Sequence, residues 1–265
     1  MGKRSDWKKT KEIHWSDEKH QDFNELGLKR KGIPEGFKYK HTSKVYWFFS
    51  HLLYYGVAKW VIGIYVYCHG IRCENKQVLK KLKGQGAFLY ANHVAISDCF
   101  KFPVVIRKNR VDAIGYSDAL SIPVGGKLAV MLGLIPLPLK EDRDNFHKMT
   151  DAINYYVKEK NHYVLIFPEA HIWPYYTEIR NWPNNSMIYP ALMMAPIVPV
   201  VTVWKKRKFR KVPRQLIVFG EPIYPKEGES ITYNKDYLHQ ECIAQMKEIA
   251  RTHEQQQYIK YIKDE

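Results

Sequence analysis

A histidine and an aspartate, five residues apart, follow an apolar segment in the first half of the chain. Asn92 and His93 come directly after residues 87–91 (AFLYA), and Asp98 lies one turn beyond the histidine. A neutral imidazole takes a proton from a hydroxyl with one ring nitrogen, while a carboxylate on the other nitrogen fixes the tautomer and stabilises the cation. The spacing therefore predicts an oriented general base at a strand end, with an ordinary turn histidine as the other interpretation.

The composition indicates one substantial core and a negatively charged partner. The chain has 265 residues, of which 45% are hydrophobic, enough to fill such a core. Its formal net charge of +15 favours nucleic acid, anionic lipid headgroups or a phosphorylated substrate as a partner. The four cysteines include no C-x-x-C pair and lack zinc-ligand spacing, so we expect reduced thiols in a cytoplasmic setting and no metal site.

Composition and periodicity divide the chain into four segments. We predict a polar, basic extension at 1–44, a membrane-associating helix and connector at 45–83, an α/β core at 84–225, and a C-terminal amphipathic helix packed on the core at 226–265. The core is expected to be a mixed sheet with crossover helices. Its predicted strands are 87–91, 111–115, 134–139, 163–167, 197–203 and 215–219, and the predicted helices are 98–108, 119–131, 142–159 and 236–262.

Residues 45–66 form an aromatic and apolar stretch that is long enough, as a helix, to cross a bilayer. Its polar residues His51, Tyr55, Lys59 and Gly63 recur at every fourth position and so form one stripe, and a lysine is unfavourable at mid-bilayer. Both flanks are basic, which suits a helix that lies in the interface and binds lipid phosphates. We favour such a monotopic helix, at the cytoplasmic face of a membrane with anionic lipid, over a spanning helix or a buried core helix.

Four segments, in this order, resemble the motifs of the glycerolipid acyltransferase family that includes the 1-acylglycerol-3-phosphate acyltransferases. The resemblance covers roughly residues 45–225. The segments are Asn92-His93 with Asp98, residues 132–138 (LGLIPLP) for the Gly-x-Ile strand, residues 165–170 (LIFPEA) for Phe-Pro-Glu-Gly, and residues 196–200 (PIVPV). Their order and spacing make the joint signal strong.

The resemblance implies an O-acyltransferase that moves a fatty acyl group from acyl-CoA or acyl carrier protein to the free hydroxyl of a lysophospholipid. The expected acceptor is 1-acyl-sn-glycerol-3-phosphate or a related lysolipid, and no cofactor is expected. His93 would be the general base, Asp98 its orienter, and Glu169 an acceptor of hydrogen bonds from the lysolipid; a carboxylate that caps the next helix or loop is the other interpretation of Glu169. The remaining substrate-binding residues expected from the motifs are Asn92, which is better suited to fixing the strand end, Gly133 and Pro168.

Two departures from the family pattern concern the acceptor phosphate. Leu139 stands where the second motif usually has an arginine, and Ala170 with residues 171–173 (HIW) replaces Gly-Thr-Arg-Ser. Lysine does not reproduce the bidentate fork of arginine on a phosphate, so the changes put lysophosphatidic acid in question and leave acyl transfer untouched. The candidate replacements are Lys140, Arg143 and Arg180.

Two further features leave alternatives open. The basic run 205–211 (KKRKFRK) is predicted to contact anionic headgroups, acyl carrier protein or the phosphates of CoA, with a solvated hairpin tip as the alternative. Nucleic acid is disfavoured because no stacking surface accompanies these charges. Residues 115–119 (GYSDA) partly match a nucleophile elbow, so a serine hydrolase or thioesterase using Ser117 is one rival function. A non-catalytic membrane-binding protein is the other.

Overall fold

A computed structural model describes residues 7–23, 32–106, 109–121 and 124–264. The strands are β1 (Glu12–Trp15), β2 (Arg72–Glu74), β3 (Ala87–Ala91), β4 (Val111–Tyr116), β5 (Leu134–Leu137), β6 (Tyr163–Ile166), β7 (Ile197–Lys205), β8 (Arg214–Phe219) and β9 (Lys260–Lys263). The helices are α1 (Trp7–Thr10), α2 (Lys44–His51), α3 (Lys59–His69), α4 (Asp98–Val105), α5 (Gly125–Met131), α6 (Arg143–Asn154), α7 (Ile188–Met193) and α8 (Ile231–Thr252). The other helical turns are Leu52–Ala58, Lys76–Leu82, Ser117–Ser121, Tyr155–Glu159 and Asn184–Met187.

Seven strands form the main sheet, in the order β2-β8-β7-β3-β6-β4-β5. All neighbours are parallel except β7 and β8. The prediction of a mixed α/β sheet with crossover helices is therefore confirmed. All six predicted strands are present, whereas the short edge strand β2 and a separate parallel pair of β1 with β9 were not predicted.

The central strand β3 determines where His93 stands in the fold. All five of its residues are buried, as is typical of a parallel strand covered on both faces. Its neighbours β6 and β7 run in the same direction, so their carboxyl ends meet at one edge of the sheet. We call this the carboxyl edge. Segments that follow β3, β6, β4 and β5 all start there, which brings the first and third motifs together.

Two predicted helices of the α/β core differ in their bounds from the observed ones. The predicted helix 119–131 is a turn at Ser117–Ser121 followed by α5, and residues 122–123 between them lie outside the described part. Helix α4 ends at Val105, and residues 107–108 of its predicted range are also not described. By contrast, α6 continues through a π-helical turn to Glu159, in agreement with the prediction.

The predicted C-terminal helix 236–262 is correct only in its first part. Helix α8 runs from Ile231 to Thr252 and packs on β7, after which the chain is extended and β9 pairs with β1. Ile262 therefore belongs to a strand, and Tyr258 and Ile259 to the segment that leads into it. Tyr261 stacks on Trp173 with ring centroids 5.2 Å apart, a contact between segments far apart in sequence. The first described part of the predicted extension, residues 7–23, is likewise docked on the core through β1; residues 1–6 and 24–31 lie outside the described part.

Residues 44–69 form one long helical segment, α2 and α3 joined by the turn Leu52–Ala58. One side contacts the core through Ser50, whose hydroxyl donates to Met131 O (2.7 Å), and through the buried ring of Tyr54. The opposite side is apolar and exposed. We call it the apolar face: Val45, Phe48, Phe49, Leu52, Val57, Trp60, Val61 and Ile64. This exposure contradicts a buried core helix, and no helix within the described ranges is both long and apolar enough to span a bilayer.

Candidate active site

Asn92 fixes the end of β3. Its side-chain oxygen accepts from Thr202 N (2.8 Å), and its amide nitrogen donates to Thr202 O (3.1 Å) on the neighbouring strand β7. The residue is buried, and both ends of its amide are used in this pairing. The expectation that Asn92 binds substrate is therefore not supported, and the geometry assigns it to holding the strand end from which His93 projects.

The structure brings His93 and Asp98 together. The buried carboxylate of Asp98 accepts on Oδ2 from His93 Nδ1 (3.1 Å) and from the backbone N–H groups of Val94 and Ala95 (both 2.8 Å). Because an ionised carboxylate only accepts, Nδ1 carries the proton and Nε2 is left with its lone pair in the neutral ring. The face of the imidazole stacks on Phe167, with ring centroids 4.3 Å apart. The arrangement holds one tautomer and one ring orientation.

Lys101 is a member of this cluster that the sequence analysis missed. Its ammonium donates to Asp98 Oδ1 (2.5 Å), Thr202 Oγ1 (2.9 Å) and Gln215 Oε1 (2.8 Å), and both Lys101 and Asp98 are 0% exposed. The available signal was a lysine three residues after the aspartate in a predicted helix, on the same side as Phe102 and Val105. The ammonium compensates the buried carboxylate and locks it in place.

Neighbouring charges and burial shift the pKa values of His93 and Asp98 in opposite directions. Burial lowers the pKa of His93, but the hydrogen bonds with Asp98 and Cys99 outweigh it and raise that pKa to about 9. Burial raises the pKa of Asp98, while the Lys101 charge and the His93 hydrogen bond overcome this and lower it below the ordinary value. At neutral pH the free protein therefore holds an imidazolium beside an ionised carboxylate.

The raised pKa of His93 predicts the pH dependence of any reaction in which His93 is the base. Only the neutral imidazole accepts a proton, so kcat/KM should rise about tenfold per pH unit from pH 6.5 and level off near pH 9, the raised pKa of His93. The stability that the imidazolium contributes has the opposite sign, being complete below the unfolded pKa and lost as the pH passes about 9. Initial rates between pH 6 and 10 measure the profile. A plateau already reached at pH 7 would contradict it.

The buried carboxylate of Glu169 accepts hydrogen bonds from other residues of the protein. Its Oε2 accepts from His93 N (3.1 Å) and Arg180 Nη2 (2.9 Å), and its Oε1 accepts from Arg180 N (3.1 Å). Both side chains are 1% exposed, and Arg180 Nη2 also donates to His171 O. The expectation that Glu169 accepts hydrogen bonds from the lysolipid is not supported by this geometry. Its carboxylate instead joins the backbone N–H of His93 to that of Arg180, in the loop after β6. This geometry resembles the other interpretation of Glu169, a carboxylate that caps a loop.

Arg180 replaces neither missing arginine at the surface, since its guanidinium is buried over the ring of Trp173 (4.9 Å). Its Nε and Nη1 have no hydrogen-bond partner in the described part of the chain. The family's glycine after Glu169 is here Ala170, with a φ of 62°. That left-handed conformation is unfavourable for alanine and explains why the family pattern has glycine at this position.

The remaining predicted substrate-binding residues are spread over the sheet. Gly133 has a φ of 105° and precedes β5, at the edge opposite His93; a Cβ there would come 2.5 Å from Asp112 Oδ1. Its backbone therefore makes a close packing contact, and this placement does not support the expectation that it binds substrate. Lys140 and Arg143 are exposed beyond the carboxyl end of β5, three strands and roughly 14 Å from β3. Pro168 is half-buried, next to Phe167 at the site.

Ser117 is buried after the end of β4, two strands and about 10 Å from the end of β3. It thus lies at the carboxyl edge but not beside the His93–Asp98 pair. Across the described ranges, no group of three or more His, Cys, Asp or Glu side chains is arranged to hold a metal ion.

Comparison with known proteins gives a family and a fold. A family model described as "Acyltransferase" matches residues 70–203, slightly more than half of the chain. The fold is similar to the crystal structure of the 1-acyl-sn-glycerophosphate (LPA) acyltransferase PlsC from Thermotoga maritima. The TM-score is 0.51 at 14% identity, over 80% of this chain and 96% of that chain. A search of curated protein sequences finds no match. On the extent of the family match, this chain belongs to the acyltransferase family.

Proposed function

We propose that the protein transfers a fatty acyl group from an acyl thioester to the free hydroxyl of a lysophospholipid, with His93 as the general base. The observation that carries the proposal is the hydrogen-bonded His93–Asp98 pair at the end of β3, in a chain that belongs to the acyltransferase family. The donor is acyl-CoA or acyl carrier protein.

The chemistry follows from the dyad. Nε2 of the neutral His93 takes the proton of the acceptor hydroxyl as its oxygen attacks the thioester carbonyl. Asp98 stabilises the imidazolium that forms, and the tetrahedral oxyanion collapses with loss of the thiolate, which receives the proton from His93. A thioester is already activated, so this route uses neither a covalent acyl-enzyme nor a cofactor.

The acceptor we propose is 1-acyl-sn-glycerol-3-phosphate or a related lysolipid. PlsC, whose fold is similar, is described as acting on 1-acyl-sn-glycerophosphate. In this chain the exposed cations Lys140 and Arg143 follow β5 at the carboxyl edge, where a headgroup phosphate approaches from solvent. Because the buried Arg180 is turned inward, these two residues are the candidates for that contact.

We also propose that the apolar face of residues 44–69 lies on the cytoplasmic side of a membrane. Trp60 is 73% exposed although it is among the largest apolar side chains of the protein. The face continues towards the site, since Tyr65 contacts Phe100 on α4 (5.8 Å) and the exposed Ile96 belongs to the loop between His93 and Asp98. A lysolipid then reaches the base without leaving the membrane.

This surface makes a direct prediction. Changing both Trp60 and Ile64 to serine should weaken binding to phospholipid vesicles at least about 100-fold, because each large apolar side chain contributes roughly 1.5–3 kcal/mol on burial. Co-sedimentation with vesicles measures the partition. The matched control changes Tyr224 and Ile231, which are also exposed but lie outside the apolar face, and should leave binding unchanged. Equal loss in both variants would contradict the assignment of the surface.

The function itself is tested by thiol release. The purified protein is given acyl-CoA or acyl carrier protein together with a panel of lysolipids in mixed vesicles, and free thiol is followed with time. Release that requires a lysolipid is the expected result. Release without an acceptor, abolished by Ser117→Ala, would instead identify a thioesterase or hydrolase. No release with any pair would overturn the proposal in favour of a membrane-binding protein without this activity.

A further inference from the structure

A cavity of about 650 Å³ adjoins the loop that joins His93 to Asp98. Residues 94–97 of that loop form one wall, the end of α3 forms another, and the hairpin between β7 and β8 forms a third. Its volume lies within the range of about 300–1,000 Å³ that is typical of small-molecule sites. We call it the hairpin cavity.

The charged lining of the hairpin cavity is basic throughout. Arg207, Arg210 and Lys211 come from the hairpin, and among the described residues that line the cavity there is no carboxylate. None of the three takes part in an ion pair within the described ranges. Burial, with the neighbouring guanidiniums of Arg210 and Arg214, lowers the pKa of Arg207. Like charges held this close repel each other, and a bound polyanion relieves the repulsion.

The position of Arg207 is fixed by the fold. A Cβ at Gly70 would lie 3.1 Å from Arg207 Nη2, so the guanidinium packs on the glycine that ends α3. Gly70 has a φ of 63°, and the carboxyl end of a helix attracts cations. Lys206 and Lys208, which alternate with it in the hairpin, are exposed and do not line the cavity. The hairpin therefore has one set of cations that lines the cavity, in which Arg207 is the half-buried member, and a second set that does not line it.

The other walls are aromatic and connect to the catalytic cluster. The rings of Tyr175 and Trp204 lie 4.4 Å apart along the cavity. Gln215 also lines it, accepts from Lys101 through Oε1 and donates to Ser97 Oγ (3.2 Å). Guanidinium groups beside aromatic rings suit a ligand that carries both phosphates and a planar base.

We propose that the hairpin cavity binds the phosphorylated nucleotide of a coenzyme A thioester, which makes acyl-CoA the acyl donor. The inference rests on the proposed acyl transfer and deepens it. A cavity of small-molecule volume favours CoA over acyl carrier protein, because a protein partner needs an interface of roughly 800 Å² on each side. The phosphate of an anionic phospholipid is the other source of the same chemistry.

The test compares two double variants of equal charge change. In Arg207→Ala/Arg210→Ala the cations that line the cavity are lost, and in Lys206→Ala/Lys208→Ala two solvent-facing lysines of the same hairpin are lost. Calorimetric titration with coenzyme A should give a Kd raised at least about 30-fold for the first variant and less than about threefold for the second. In turnover, kcat/KM for acyl-CoA should fall in parallel in the first variant, whereas kcat/KM for acyl-pantetheine, which has the same thioester without the nucleotide, should not change.

The outcomes separate this inference from the proposed function. Coenzyme A binding that is equal in both variants overturns the inference, and continued turnover of acyl-pantetheine would then leave the proposed function standing. If the first variant loses binding to phosphatidylglycerol vesicles but keeps coenzyme A binding, the cavity is a headgroup site and the inference is wrong. If the first variant loses coenzyme A binding but the unmodified protein turns over neither acyl-CoA nor acyl-pantetheine, the binding site is supported and the proposed function is overturned.

Discussion

Replacing His93 by alanine should lower kcat for lysolipid acylation by about 10²- to 10⁴-fold, the range that a positioned general base supplies. The acceptor hydroxyl is a weak nucleophile until its proton is removed, and Nε2 of His93 is the nitrogen left for that task once Nδ1 is hydrogen-bonded to Asp98 (3.1 Å). Thiol release from acyl-CoA in the presence of a lysolipid measures the loss.

The matched control for His93→Ala is Ser117→Ala, since Ser117 is also buried at the carboxyl edge but stands two strands away. It should retain activity within about threefold. Vesicle binding should be unchanged in both variants, which separates loss of chemistry from loss of the membrane contact. Activity that survives His93→Ala but not Ser117→Ala would reverse the two roles and contradict the proposed mechanism.

The second large effect is expected on stability, from Lys101→Met. The methionine leaves the carboxylate of Asp98, which is 0% exposed, without its counter-charge. Breaking a buried pair in this way lowers the free energy of unfolding by about 3–5 kcal/mol. Two backbone N–H groups and His93 still bind Asp98, so the loss should fall at the lower end of that range. Urea denaturation at pH 7 measures it.

Two further variants keep the Lys101 prediction open to contradiction. Lys80→Met removes an exposed lysine and should change the free energy of unfolding by less than about 0.5 kcal/mol. Asp98→Asn/Lys101→Met removes both buried charges and should recover much of the lost stability without restoring activity. In Lys101→Met itself, the charge of Asp98 no longer interacts with an ammonium, so it should stabilise the imidazolium of His93 more strongly. The midpoint of the pH–rate profile should therefore rise. A double variant as unstable as the single one would show that the pair is not the cause.

The central part of the candidate site could be predicted from local sequence. The buried run Ala87–Ala91, the turn residue Asn92 and the spacing from His93 to Asp98 all act within one strand, one loop and the first turn of one helix. Interactions of such short range depend on residue type and spacing, which can be read directly from the amino-acid sequence. The six core strands were likewise predictable, because strands that are covered on both faces must be continuous apolar runs.

Longer-range partners were not predictable in this way. The ammonium of Lys101 donates to Thr202 and Gln215, which are more than 100 residues away in the chain and reach it only because β7 lies beside β3 and β8 lies beside β7. Gly133 matched a motif, but the direction of β5 placed it at the opposite edge of the sheet. Apolar spacing near residue 260 fitted a helix equally well until pairing with β1 made it a strand.

The sequence by itself thus determined the pairing of His93 with Asp98 at the end of a buried strand, which is the proposed base with its carboxylate, and the α/β class of the fold that holds them. Only the tertiary structure decided which charged groups face inward. Glu169 and Arg180 neutralise each other beneath the surface, whereas Arg207 and Arg210 line a cavity to which the described part of the chain contributes no carboxylate. The physical reason is that the protonation and solvation of a charged side chain depend on all of its neighbours in space, and strand order, rather than spacing along the chain, selects those neighbours.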